Sequence, residues 1–365
     1  MTPAKPSLEM LRALTDENVL RALMAHRRLT RAEIAARTGI SKPTISDAVQ
    51  RLADSGLVVD TGERTTGRGR SGSYYALAPG LGTALVASIS PRGVTAETVD
   101  ALGDTVGRVH AGLGRDAGEH QAARALAEAA AQLEGPSRLA VVSAADPVDR
   151  ATGRLVRLPD APFLIGALDP AAVLAPHVTG TVLVDNDVNW AARAEHAAVG
   201  VDDFVYVHLG EGLGCAVVTD GAVRRGHGGL AGEIAHVCTI GPSGKAMPFT
   251  EVFAALGLRR PDSTAIDVPA LEAAVTSGSG AAETLARAVA GVLSAAVALA
   301  DPALIVLGGE WGRLPAMRAA IDRQLAQGPR PVGVAAATVD SPELTAARER
   351  AVAELRERVV SDARH

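Results

Sequence analysis

Thr30-Arg-Ala-Glu33-Ile-Ala-Ala-Arg-Thr-Gly39-Ile-Ser41-Lys-Pro43-Thr-Ile-Ser46-Asp-Ala-Val49-Gln-Arg-Leu52 carries three local signals in sequence. Thr30 and Glu33 stand three apart, the spacing at which a hydroxyl and a carboxylate cap one helix reciprocally. Gly39 suits the positive φ of a turn that ends such a helix. Pro43 sits in the first turn of the helix that follows, where its missing N–H costs nothing. In that second helix Ile45, Val49 and Leu52 share one face, which leaves Ser41, Lys42, Thr44, Ser46 and Asp47 pointing outward. A capped helix, a glycine turn and a polar-fronted helix together read as a helix-turn-helix, whose last helix enters the major groove of DNA. An ordinary three-helix packing unit is the plainer alternative.

The flanks agree with a winged version. Upstream, Val19, Leu20, Leu23 and Met24 have helical spacing, with Thr15 or Asp16 placed to cap. Downstream, residues 56–62 read as a strand, 63–73 as a Gly/Arg-rich tip, and Ser73-Tyr-Tyr-Ala-Leu77 as the returning strand. Arg64, Arg68 and Arg70 at the tip suit a narrow minor groove or phosphates. The candidate DNA-contacting residues are therefore Ser41, Lys42, Thr44, Ser46, Arg64, Arg68 and Arg70. A solvated loop is the competing reading of the wing.

Charge is divided unequally along the 365 residues. Residues 1–80 hold 12 Lys/Arg and 8 Asp/Glu, net +4, whereas the remainder holds 24 and 33, net −9. Only the head is therefore built to meet a polyanion. With 47% hydrophobic and 2% aromatic residues, the core must rest on Ala, Val, Leu and Ile, and disorder is a poor reading. No unbroken apolar run approaches 18 residues and the N-terminus has no apolar signal core, so the expectation is a cytoplasmic chain without a membrane partner. Cys215 and Cys238 alone build neither a disulfide framework nor a cysteine-rich zinc site.

From residue 81, strand-like runs at 84–90, 139–143, 182–185, 204–209 and 303–307 alternate with Ala-rich helical stretches. That alternation predicts an α/β body, and its length fits two lobes with a cleft between them. Four segments carry chemistry. Asp185-Asn186-Asp187-Val-Asn189 brings an acidic cluster to a helix start, where Asn186 or Asp187 also reads as a plain cap. Gly210-Glu211-Gly212-Leu-Gly214 is either a phosphate cradle or a tight hairpin. Gly232-Glu233-Ile-Ala-His236 sets a carboxylate and an imidazole on one face if helical, matched to a hydroxyl-rich ligand. A buried strand ending in Gly308-Gly309 marks a close backbone approach, commonly to a ligand.

Taken together these segments resemble the ROK family (repressors, open reading frames, kinases), and its transcriptional regulators in particular. Asp146-Pro-Val-Asp149 with Thr152-Gly153 is similar to the family's Pro-Gly-x-Val-Asp…Thr-Gly stretch, and 232–236 to its Gly-Glu-Ile-Gly-His segment. The resemblance implies a winged helix-turn-helix at 1–80. It also implies a two-lobed, actin-like and ribonuclease H-like sugar-kinase body at 81–365, with lobes at about 81–200 and 201–340 and a C-terminal helix at 341–365. It implies sugar contacts from Asn186, Asp187, Glu233, His236 and Glu251. In kinase members the residue matching Asp187 is the catalytic base.

Two departures separate the function classes. The first body strand, Ala84 to Gly93, lacks the family's Asp-x-Gly-x-Thr phosphate loop, and Glu211 replaces a threonine in the second loop. Phosphoryl transfer rests on positioning and neutralising phosphates, so both changes oppose it. After His236 only Cys238 remains of the family's zinc-binding cysteines, too few for a tetrahedral site. The resulting expectation is a non-enzymatic repressor of carbohydrate genes without metal or cofactor. It would bind double-stranded operator DNA as a homodimer or dimer of dimers, and a sugar or sugar phosphate would release it. The alternatives are a sugar kinase with a DNA-binding head, and a regulator whose pocket has decayed.

Overall fold

Ser7, not Thr15 or Asp16, caps the first helix, α1 (Leu8–His26), by accepting from the Met10 amide. The expected cap residues lie inside the helix because a long-range partner holds Asp16: the Arg51 guanidinium reaches its carboxylate at 2.6 Å. The computed structural model describes residues 7–65, 71–114, 117–158, 166–278 and 280–364. Arg68 and Arg70 lie outside the described residues.

Strand β1 (Arg28–Thr30) leads into α2 (Arg31–Thr38), and α3 (Lys42–Asp54) follows the Gly39 turn at φ +72°. The Thr30–Glu33 capping box is present in both directions. β2 (Val58–Arg64) and β3 (Ser73–Leu77) form the wing and join β1 in the order β1-β3-β2. Leu20, Leu23, Ile34, Ile45, Val49 and Leu52 are buried together, each contributing about 1.5–3 kcal/mol by leaving water.

The body repeats one topology twice. In the first lobe β4 (Ala84–Ser90), β5 (Gly93–Val99) and β6 (Thr105–Gly112) run as an antiparallel meander, covered by α4 (Glu119–Ala131). β7 (Leu139–Ala144) and, beyond α5 (Pro170–Leu174), β8 (Val182–Asn186) then add parallel strands beside β4. The sheet order is β6-β5-β4-β7-β8, and α6 (Asp187–Val199) leaves β8 for the second lobe.

There β9 (Phe204–Leu209), β10 (Leu213–Thr219) and β11 (Ala222–Val223) form the second meander. A small hairpin, β12 (Cys238–Ile240) and β13 (Ala246–Pro248), precedes α7 (Phe249–Ala255), α8 (Val268–Thr276) and α9 (Ala281–Ala300). β14 (Leu304–Gly308), α10 (Pro315–Ala326) and β15 (Gly333–Ala336) complete the order β11-β10-β9-β14-β15. Two copies of this arrangement face to face make the two-lobed, ribonuclease H-like α/β fold. Helix α9 is long and apolar enough to cross a membrane by composition. Here its Leu285–Val297 face is packed in the second-lobe core.

The last helix, α11 (Pro342–Asp362), returns across the molecule and packs on α6, β4 and β7 of the first lobe. Its far end meets α1, so Leu355, Val359 and Val360 share one hydrophobic cluster with Val19, Leu20 and Leu23 of the head. Arg21 pairs with Glu357 at 2.9 Å and Arg364 with Glu17 at 2.8 Å across the same contact.

Candidate functional site

In the head, Ser41, Lys42, Thr44 and Asp47 are exposed along the start of α3, and Ser46 is half-buried beside them. Ser41 is also the helix cap, its Oγ accepting from the Thr44 amide and lying 2.7 Å from Thr44 Oγ1. Arg64 is exposed at the end of β2 and leans on Asp60 at 3.0 Å. Arg31 stacks over Tyr75, which ties α2 to the wing.

A cavity of about 440 Å³ opens between the two body sheets. It is lined from the first lobe by Ser88–Arg92, Asp146 and Asn186–Asn189, and from the second by Tyr206, His208, Glu233 and His236. Of the five sugar-contact candidates the fold brings four into this lining. Glu251 is not among them: it points out of α7 and pairs with Arg259 at 2.9 Å.

Backbone logic sets each position. Asn186 caps α6 through the Val188 amide, and its amide group donates to the carbonyls of Ala144 and Asp146. It thereby ties the end of β8 to the loop after β7. Its neighbour Asp185 is consumed structurally, by Asn189, Arg193 and Arg225. The 232–236 segment is a turn rather than a helix. Gly232 has φ +100°, and a Cβ there would lie 1.8 Å from the Cys215 carbonyl oxygen. The close approach pins the segment to β10 and leaves Glu233 half-buried and His236 exposed, both in the lining.

The two strand-end glycines also differ from expectation. A Cβ on Gly308 would meet the Tyr206 hydroxyl at 2.1 Å, and one on Gly309 the Leu209 carbonyl at 2.4 Å. The protein's own atoms, not a ligand, demand these glycines. Gly210–Gly212 is the tight tip of the β9–β10 hairpin, with Glu211 held by Arg260 at 2.7 Å. Asp149 folds onto Thr152 as a self-satisfied turn.

Three lining carboxyls have lost the ordinary carboxylate range. Burial pushes Asp187 up to about 8, assisted by Glu343, Asp146 and Glu233. Burial, then Glu233, pushes Asp146 up to about 7, and burial alone takes Glu233 to about 7. Burial also holds the His208 imidazole below its usual range. Asp146, Glu343 and His208 were not among the sequence candidates. For Asp146 one signal was in view, since it stands at the glycine of the quoted Pro-Gly-x-Val-Asp pattern. Glu343 reaches the cavity only because α11 returns to it.

The stretch where the resemblance implies zinc does not fit the metal. Cys238 is exposed on β12, opposite Pro248, and among the described residues no cluster of three acid, imidazole or thiol groups could hold an ion. The β12–β13 hairpin braces this loop instead. Thr239 Oγ1 donates to the Ala288 carbonyl at 2.7 Å, and Thr239 sits over Gly291 of α9.

Comparison with known proteins agrees with this architecture. A family model described as "ROK family" matches residues 119–249, and one described as "Winged helix-turn-helix DNA-binding" matches 12–59. The chain is 32% identical over 162 residues to the bifunctional enzyme NanE/NanK of Brucella melitensis, covering 42% of this chain and 30% of that protein. It is 31% identical over 173 residues to the N-acetylmannosamine kinase of Salmonella arizonae, covering 43% and 60%. The chain thus spans at most about three-fifths of these two relatives' length. Among solved structures, a ROK family transcriptional regulator, homologue of the E. coli MLC protein, superposes with TM-score 0.61 at 17% identity, over 96% of this chain and 99% of that one. A ROK family glucokinase from Streptomyces griseus, in complex with glucose and AMPPNP, gives 0.56 at 23% identity, over 74% and 99%. Both likenesses bear on the fold. Within this chain the ROK family model thus covers the middle of the body, and the winged helix-turn-helix model lies ahead of it in the head.

Proposed function

We propose that this protein is a DNA-binding transcriptional regulator, a repressor of carbohydrate genes, whose hold on its operator is set by a sugar in the interlobe cavity. One observation carries the reading: α11 touches both sites. Its start, Ser341–Glu343, lines the cavity, and its far half shares the hydrophobic cluster of the helix-turn-helix head. On this reading Ser41, Lys42, Thr44 and Ser46 face the major groove, and Arg64, with Arg68 and Arg70, serves the wing. Asn186 positions the loops around the sugar, while Asp187 and Glu233 accept its hydroxyl protons and His236 closes the rim. Glu251 would act only through Arg259. Two heads in a homodimer would meet half-sites about 34 Å apart. Cleft closure that displaces them by a few ångströms would then break simultaneous docking.

Phosphoryl transfer is the competing reading, favoured by the kinase relatives and by a carboxyl, Asp187, of raised pKa in the cleft. Against it stands the β4–β5 turn, where Ser90 Oγ is spent on the Gly93 carbonyl and Arg92 faces Glu310 at 3.7 Å. Such a turn offers a nucleotide no free hydroxyl from Ser90 and no uncompensated charge.

Footprinting on the gene's own upstream region, with and without a panel of hexoses, tests the regulator. Protection that a sugar lifts supports it, and by linkage the operator must weaken sugar binding by the same factor. Equal sugar affinity with and without operator would reduce the body to a dimerisation platform. ADP release coupled to any hexose would restore the kinase.

A further inference from the structure

The cavity holds more carboxyl groups than the hydroxyls of a neutral sugar require. Asp146, Asp187, Glu233 and Glu343 all line it, and among the described residues none of the four pairs with an arginine, lysine or histidine. The two arginines in the lining face other carboxylates, Arg92 the lining Glu310 and Arg313 the exposed Asp340, each at 3.7 Å. Asp146 is the sharpest case. It is 3% exposed, it lines the cavity, and its Oδ2 has no hydrogen-bond partner.

A buried carboxylate without a counter-ion must either take up a proton or receive a cation. A sugar hydroxyl offers it one hydrogen bond and leaves the charge uncompensated, whereas an ammonium group supplies both bond and charge. The cation is not a bare metal ion, because these side chains do not converge as a ligand cluster among the described residues. They are spread along a cavity of about 440 Å³, a volume that suits a small organic molecule with several donors. Where they are ionised, the same carboxyls repel a sugar phosphate or a sugar acid.

Resting on the sugar-effector reading above, we infer that the ligand of this cavity is an amino sugar with a free, protonated amine, its ammonium against Asp146 and its hydroxyls on Asp187 and Glu233. N-acetylation removes the charge, so it abolishes the advantage.

Calorimetric titration of the full chain at neutral pH tests this. Glucosamine, mannosamine and galactosamine are compared with glucose, mannose and galactose and with the three N-acetylated forms. One amine should bind at least about tenfold tighter than both its parent hexose and its N-acetyl derivative, a factor that one close charge pair readily supplies. Asp146→Asn should shrink that ratio to less than about threefold. An apo melting temperature no lower than wild type shows that the variant has folded, and Glu233→Gln gives an independent second reading of the same ratio. Equal affinity for amine and parent hexose overturns the inference and leaves the sugar-effector reading standing. No binding by any of the nine sugars overturns both. A ratio unchanged in both variants overturns the seating of the ammonium among these carboxylates.

Discussion

Replacing Asp146 by asparagine should stabilise the protein, and by more as the pH rises. The Asp146 carboxyl is raised from 3.8 to about 7, so in the folded protein it holds its proton well beyond the pH at which the unfolded chain releases it. The stability tied to that proton is complete below about pH 4 and is lost as the pH rises through about 7. A shift of about three units corresponds to ~4 kcal/mol, an upper bound because water in the open cavity screens the charge. Asparagine keeps the shape and has no proton to lose. The gap between variant and wild type should therefore be near zero at about pH 4 and reach roughly 2–4 kcal/mol by about pH 8. Some pH dependence must survive in the variant, since Glu233 and Asp187 are raised as well. Urea unfolding of both proteins across this range measures the gap directly. A gap that stays constant with pH, or a wild type more stable at high pH, would mean that Asp146 is not a buried, uncompensated acid.

The remaining predictions concern the head and the cavity. Lys42→Ala or Thr44→Ala should weaken operator binding by ~1–3 kcal/mol in fluorescence anisotropy, and unchanged affinity in both would displace α3 from the groove. Thr30→Ala removes the hydroxyl that accepts from the Glu33 amide at 3.2 Å and should lower thermal stability by about 1 kcal/mol. A loss near zero there would mean that wing contacts, not the cap, hold α2. Asp187→Ala should cost about 1–3 kcal/mol of sugar affinity by calorimetry, and intact affinity would place the sugar elsewhere in the cavity.

The legible parts were those whose causes are local. Thr30, Glu33 and Gly39 act within one turn of themselves, and the structure realises all three. The strand-like runs at 84–90, 139–143, 182–185, 204–209 and 303–307 fall on β4, β7, β8, β9 and β14 for the same reason. The first helix starts eight residues earlier than Asp16 suggests, because Asp16 looks like a cap but is paired with Arg51, 35 residues away. The 232–236 turn looked compatible with a helix because its constraint is the Cys215 carbonyl on a neighbouring strand. Glu251 carried the right chemistry for a sugar contact, but α7 turns it toward Arg259. Asp146 is visible as a residue and invisible as a charge problem, since its burial and the nearby Glu233 that raise its pKa arise only in the folded chain.

On the proposed reading, helix α11 gives the cavity and the head a link that bypasses the sheets. Its 21 residues span about 30 Å, enough to reach from one site to the other as a single rigid element. At one end Glu343 stands near enough to Asp187 to raise its pKa, a repulsion that a ligand between the lobes would relieve. At the other end the helix is held to α1 by buried Leu355 and Val359 as well as by two exposed ion pairs. The ion pairs contribute at most about 1 kcal/mol each, so the apolar seam sets how firmly the head follows the helix. A ligand moves such a system only by binding its two states unequally, and driving it from 1:99 to 99:1 takes about 5.5 kcal/mol of difference. Hydroxyl contacts that form equally in both states shift nothing. On the amino-sugar proposal, the ligand's charge beside Asp146, at the cavity end of α11, would be what biases the two states.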